Sequence, residues 1–299
     1  MFVGILLVLV SFSHRYSLQV NLFELVGAFA HFGAVFYFLL TLVSVYFRNW
    51  LLSAFALVAS LHAAVLVYPA FEQTPLTDKK TNLTVVQANL WHLNATPEDA
   101  IVALKEADAD VISFQESNTA WKESIEKHIK PNYPFVVEES HNNCCYGIAL
   151  YSKYPIVDFE VVDIESVPSV FAEIVLEKRI INVCSFHALA PVAPNETSER
   201  NMQLEILYEK LSQIEGASVV MGDFNIVTWD PTFTKFVESS DHKRLGCGLQ
   251  PTFPMDFNTP MIPIDHILYS DELTPTNCGT IDIPGSDHLG VVASFSITE

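Results

Sequence analysis

Two long apolar stretches open the chain. Residues 25–47 carry only scattered Gly, Ser, Thr and His31 among apolar side chains, and residues 50–68 repeat the pattern after a turn holding Arg48. Each matches the roughly 20 residues that a membrane-spanning helix needs. Tyr46, Phe47, Trp50, Tyr68 and Phe71 cluster at the ends of these stretches, where interfacial aromatics belong. Residues 1–12 are also apolar but short, and they lack a basic leader and a small-residue cleavage site. The pattern predicts two or three transmembrane helices within residues 1–71, with spans at 25–47 and 50–69 and a possible short one at 1–12.

A polar segment at 72–82, with Pro75 and Lys79-Lys80, reads as a linker. From 83 to 299 the period shortens, and brief β-branched or aromatic runs alternate with helical patterns. Strands are predicted at 83–88, 110–114, 146–151, 156–162, 171–176, 180–186, 218–221, 262–269 and 291–297. Thr96, Pro97, Glu98 and Asp99 supply a cap, an N1 proline and first-turn acids for a helix to about Ala107. Further helices are predicted at 121–129, from Thr197 or Ser198 to near Gly216, and after Asp230-Pro231. Many short strands mixed with helices predict two packed sheets covered by helices.

Charge narrows the partners. The chain has 16 Lys+Arg against 35 Asp+Glu, and only Arg15, Arg48 and Glu24 fall before residue 72. The later domain is therefore strongly acidic, the opposite of the basic footprint needed to grip long nucleic acid without sequence preference. A divalent cation would offset that repulsion locally. Five cysteines give no zinc spacing, and Cys144 and Cys145 are adjacent, so no disulfide framework is predicted.

The chemistry lies where polar residues end the strands. Asn89 ends the first, Gln115-Glu116 the second, and His187 the run before it; Gly222-Asp223-Phe224-Asn225 closes the strand at 218–221. Asp265-His266 interrupts a later apolar run, and Ser286-Asp287-His288 precedes the last strand. Residues two apart on an extended chain face the same way, so Asp223 and Asn225 would share one edge. The donors are mainly oxygens, which suits Mg²⁺ better than zinc.

Taken in order, Asn89, Glu116, Tyr146-Gly147-Ile148-Ala149-Leu150-Tyr151-Ser152, His187, Gly222-Asp223-Phe224-Asn225, Asp265-His266 and Ser286-Asp287-His288 resemble the endonuclease/exonuclease/phosphatase superfamily. That superfamily includes DNase I-like nucleases, apurinic endonucleases, neutral sphingomyelinases and inositol polyphosphate 5-phosphatases. The resemblance spans residues 83–299 and implies an α/β four-layer sandwich, two packed mixed β-sheets flanked by helices. It also implies a Mg²⁺-dependent phosphoesterase, with Mn²⁺ as a substitute. Asn89, Glu116 and Asp287 would sit at the metal. His187, Asp223, Asn225, Asp265 and His288 would carry the catalysis. Within that scheme His288 pairs with Asp265, Asp223 and Asn225 orient water and phosphate, and His187 meets a phosphate oxygen or the leaving group.

With the apolar N-terminus, the chain looks like a membrane-anchored bacterial-type member. In that group the catalytic domain faces outward, whereas the few loop charges alone would place it in the cytoplasm. The expected partners are a phosphoester substrate, either nucleic acid or lipid headgroup, and the lipid bilayer, with no obligate protein partner. A sphingomyelinase-like lipid phosphodiesterase or a nuclease is the alternative, and a catalytically silent binding module is the remaining reading. The arginine that follows Gly-Asp-x-Asn in inositol polyphosphate 5-phosphatases is replaced by Val227.

Overall fold

The computed structural model describes residues 4–5, 21–140, 145–193, 195–255 and 261–297. Twelve strands among these residues form two six-stranded mixed sheets. The first sheet runs in the order β11 (Leu273–Ile281), β12 (Gly290–Ile297), β1 (Leu83–Asn89), β2 (Val111–Gln115), β4 (Ile148–Ser152) and β3 (Phe135–Glu139). The second runs β5 (Ile156–Ile164), β6 (Val167–Leu176), β7 (Arg179–His187), β8 (Ser218–Asp223), β10 (Asp265–Tyr269) and β9 (Lys243–Arg244). One parallel pair lies at the heart of each sheet, β1 with β2 and β7 with β8, and every other pairing is antiparallel.

The central strands are apolar on both faces because both faces are covered. Inward residues such as Val85, Val111, Leu150, Val183, Val219 and Met221 fill the layer between the sheets. The outer face of the first sheet packs Val86, Ala88 and Ile112 against Ala100, Ile101 and Leu104 of α4 (Pro97–Glu106) and Ile125 of α5 (Lys122–His128). The outer face of the second packs Cys184, Phe186 and Val220 against Leu204, Leu207 and Leu211 of α6 (Glu196–Leu211) and Phe233 and Phe236 of α7 (Pro231–Ser239). Each such buried large aliphatic or aromatic side chain contributes roughly 1.5–3 kcal/mol. The four layers are those expected from the alternating pattern.

The N-terminal region corrects an expectation. Residues 25–47 do not form one span: they divide at Phe29 into α1 (Asn21–Ala28) and α2 (Ala30–Tyr46). Among the described residues only the helical stretch Trp50–Phe71, which contains α3 (Trp50–Val67), is long and apolar enough to cross a membrane, and α2 has 17 residues. The predicted two or three transmembrane helices therefore reduce to a single candidate by length and composition. Residues 1–12 lie outside the described residues except for 4–5. The physical reason is packing. Ala28, Val67 and Ala70 are buried in one cluster with Val227, Trp229, Ile262 and Ile264 of the later domain, so apolar composition here includes residues that cover the domain itself.

One disulfide also departs from expectation. Cys247, just after β9, is bonded to Cys278 on β11, joining the edge of the second sheet to the edge of the first. Cys184 is a buried thiol, Cys145 is partly exposed, and Cys144 lies outside the described residues.

Candidate active site

The topology explains why distant residues meet. In each parallel pair both strands end at the same edge, which delivers Asn89, Glu116, His187 and Asp223. The antiparallel partners contribute their beginnings at that edge. Asp265 opposes Asp223 at the start of β10, and residues 286–288 lead into β12 beside β1. All eight sequence-predicted site residues fall on this one edge, joined by direct contacts or through a neighbour.

Asn89 Nδ2 donates to Glu116 Oε1 at 3.1 Å and to Asp223 Oδ2 at 3.0 Å, linking the two sheets. Asp223 Oδ2 is also 3.8 Å from His187 Nε2 and 3.7 Å from His288 Nε2. These two separations are too long for hydrogen bonds and leave the imidazole nitrogens facing a common point. His288 Nδ1 donates to Asp265 Oδ2 at 2.8 Å, which fixes its tautomer and turns Nε2 toward Asp223. Asp287 Oδ1 lies 4.0 Å from His288 Nε2. The Asn225 N–H donates to Asp223 Oδ1 at 2.9 Å, and its Nδ2 donates to the Ala188 carbonyl at 2.8 Å. Asn225 and Glu116 have φ of 49° and 59°, the left-handed region that Asn tolerates better than most residues.

Gly222 is required by close approach. A Cβ there would lie 1.8 Å from the Phe186 carbonyl oxygen, which is main chain and cannot swing away. This glycine is what lets β8 lie against β7 where Asp223 meets His187.

Burial tunes the titrating groups. Asp223 is pushed up to about 8, first by burial and then by the neighbouring Asp265 charge, against the pull of His288. Burial alone would lower His288, but Asp265 and Asp223 outweigh it and raise the imidazole to about 10. Burial would raise Asp265, yet His288 and its hydrogen bond hold it below the usual carboxylate range. Glu116 is likewise held low by His187 and His92 against its burial. Burial lowers His187 and raises Asp287. The edge thus stores one strongly basic imidazole beside a carboxyl poised near neutrality.

Asp223, Asp265 and His288 offer one ligand atom each within 4.8 Å of one another, a set able to hold a divalent metal. It differs from the expected Asn89, Glu116 and Asp287. Asp265 and His288 already spend the facing atoms on each other, whereas Asp287 Oδ1 is buried with no hydrogen-bond partner among the described residues. That orphaned oxygen, within electrostatic reach of Glu116, fits a hard cation. His187 Nδ1 is likewise unpartnered.

Several participants were not foreseen. His92 Nδ1 lies 2.6 Å from Glu116 Oε2, and its backbone N–H donates to the same oxygen at 3.0 Å. Gln87 Nε2 donates to Asp265 Oδ1 at 2.7 Å from a fully buried position between the sheets. The only signal for Gln87 is a polar residue in an apolar strand two places before Asn89. By contrast His266, beside Asp265, points away: its Nε2 donates to the Ile226 carbonyl at 2.8 Å. Phe224 and Trp229 are buried and pack under the loop. A cavity of about 980 Å³ lies at the other end of β8 and β10, near Ser218 and Tyr269.

The sequence profile of the endonuclease/exonuclease/phosphatase family matches residues 86–288. No curated protein matches the chain. Among solved structures, an endonuclease/exonuclease/phosphatase from Bacteroides vulgatus is 17% identical with a TM-score of 0.60, covering 73% of this chain and 100% of that one. Sphingomyelinase C from Streptomyces griseocarneus is 15% identical with a TM-score of 0.56, covering 73% and 100%. D. rerio TDP2, complexed with single strand DNA product, is 16% identical with a TM-score of 0.60, covering 72% and 98%. At these identities the likeness is one of fold. Because those chains are spanned almost entirely by about three quarters of this one, they hold no counterpart of the rest. The expected multi-pass membrane localisation with an outward-facing domain is accordingly withdrawn, with one candidate helix in its place.

Proposed function

The chain belongs to the endonuclease/exonuclease/phosphatase family of hydrolases and carries a His/Asp cluster able to hold a divalent metal; from that premise we propose that it is a Mg²⁺-dependent phosphoesterase acting on a phosphodiester or phosphomonoester with water as nucleophile. The observation that carries the reading is the pair of imidazole nitrogens, on His187 and His288, converging on Asp223 with Asp265 behind His288. Asn89, Glu116 and Asp287 are the residues that would hold the cation. A bound Mg²⁺ would supply Lewis-acid stabilisation of charge on phosphate oxygen.

The protein's own groups then divide the remaining work. Asp223 accepts a proton from water, with Asn225 fixing the orientation of its carboxylate through the 2.9 Å backbone bond. Protonated His288, kept charged by Asp265, donates to a phosphate oxygen as negative charge grows there. His187 Nε2, 3.8 Å from the same Asp223 oxygen and with its basicity lowered by burial, hydrogen-bonds a phosphate oxygen, while the proton that Asp223 takes from water passes on to the departing oxygen. Asn225 Nδ2 is already committed to Ala188, so Asn225 acts mainly by positioning.

The test is hydrolysis of bis-p-nitrophenyl phosphate with Mg²⁺ or Mn²⁺. EDTA, His288→Ala and Asp223→Asn should each abolish it, and full activity in Asp223→Asn would sink the mechanism. A panel of DNA, RNA, sphingomyelin and phosphoinositides would then identify the physiological substrate and whether it is a diester or a monoester. The formal net charge of −19 favours small or headgroup esters over long nucleic acid.

A further inference from the structure

Arg200 is absent from the converging set, yet it is 1% exposed, an unusual position for an arginine. It stands in the second turn of α6. Its Nη1 is 2.6 Å from Glu24 Oε1 and donates to the Asn225 carbonyl at 2.8 Å. Its Nε and Nη2 both donate to Asn201 Oδ1, at 3.0 and 2.8 Å, which locks the guanidinium plane. Glu24, on α1, is 7% exposed and lies outside the family-matched residues 86–288, whereas Arg200 lies within them.

The chain of contacts ends at the chemistry. Asn225 has φ 49° and passes its N–H to Asp223 Oδ1, so a shift of its carbonyl moves the bond that orients the carboxylate. A second contact reaches the same loop independently. Trp229 Nε1 donates to the Gly27 carbonyl of α1 at 2.8 Å, and its ring meets His31 edge-on at 5.4 Å. A buried ion pair is a poor device for stability alone, because an apolar pair of similar size does as well. What it adds is direction: the paired guanidinium can aim its donor at one carbonyl.

We propose that Glu24 and Arg200 are positioning residues of the active site, through which α1 clamps residues 224–230 and holds Asn225 and Asp223 in their working geometry. The inference rests on the reading of Asp223 as the group that activates water. It makes α1 part of the catalytic unit, so that displacing this helix loosens the site.

The experiment compares full-length Glu24→Ala, Glu24→Gln and unaltered protein by amide hydrogen exchange and by hydrolysis of bis-p-nitrophenyl phosphate with Mn²⁺. In Glu24→Ala, exchange at Asn225 should accelerate at least tenfold while Val86 and Val220 in the central strands keep their rates. In the same variant kcat should fall at least tenfold with KM within twofold. Glu24→Gln, which keeps an acceptor for Arg200, should recover part of both and covers the case in which the alanine variant does not fold. Unchanged exchange at Asn225, or equal acceleration at Val86 and Val220, overturns the clamp. Absence of hydrolysis by the unaltered protein would defeat the proposed function instead, and the exchange result would still decide the clamp.

Discussion

His288 Nδ1 donates to Asp265 Oδ2 at 2.8 Å, and both residues are buried. Asp265 Oδ1 is meanwhile held by Gln87. The carboxylate is therefore fixed at both ends, and its charge is what keeps His288 protonated. Asp265→Asn removes that charge while preserving shape. It should lower kcat about 10²–10⁴-fold and shift the basic limb of the pH–rate profile downward, because the imidazolium would lose its proton at lower pH. Steady-state kinetics from pH 5 to 10 check this, and an unshifted basic limb would count against the pairing.

Gly222→Ala should be as damaging as the loss of a catalytic group, although it adds one methyl. The added carbon meets the Phe186 carbonyl oxygen, so β7 and β8 must separate where His187 and Asp223 face each other. A displacement of about 1 Å at such a site costs on the order of 10²-fold in rate. Activity within threefold of the unaltered protein would show that the strands can absorb the change.

His92→Ala tests the cation side. The imidazole and its own backbone N–H both hold Glu116 Oε2. Losing the side chain should weaken Mn²⁺ binding about 10–100-fold, the usual effect of removing a group that orients a ligand. Mn²⁺ titration followed by electron paramagnetic resonance reads it without reference to turnover, and unchanged affinity would remove His92 from the site.

His266 predicts acid lability. Its pKa is lowered from 6.5 to about 4, chiefly by burial, so the folded protein resists a proton that the unfolded chain accepts. Stability from this group is complete above about pH 6.5 and is lost as the pH falls toward 4, by at most about 3 kcal/mol. Urea unfolding of His266→Gln at pH 7 and pH 4.5 should show a smaller difference between the two pH values than the unaltered protein. An identical difference would place the acid sensitivity elsewhere.

The Cys247–Cys278 bond closes a loop across 31 residues. Replacing both cysteines by serine should destabilise the protein by about 3–4 kcal/mol through the freed unfolded chain. Guanidinium unfolding with and without reductant checks this, and a reductant-insensitive midpoint would show that the bond does not contribute.

Much of the site was legible because strand ends are chemically conspicuous. Asn89, His187 and Asp223 each stop an apolar run, and a buried strand has no other reason to finish on such a residue. His92 gave no such sign, since it sits in a loop where any polar residue is at home. Arg200 was hidden because nothing in a helix's sequence tells a buried polar residue from a solvated one, and Thr197 and Gln203 of the same helix are buried as well. Three strands went unpredicted, β3, β9 and β11; the longest, β11, carries Pro275 and Gly279 and has no buried residue after Pro275, which is how an edge strand differs from the β-branched runs inside. The first seventy residues misled for a different reason. Hydropathy measures what a side chain prefers to leave, not what it meets, and Ala28, Val67 and Ala70 meet the protein's own loop.

The division of the site between two sheets has a mechanical corollary. Asn89 and Glu116 hang from one sheet, and His187, Asp223 and Asp265 from the other, so the reach between them is gauged by the thickness of the filling made by Val85, Val219, Met221 and their neighbours. The interior then serves as a spacer as well as a source of stability. A trimmed or swollen filling would detune the reacting distance while the protein still remained folded, so heat and core mutations should silence turnover before they melt the chain.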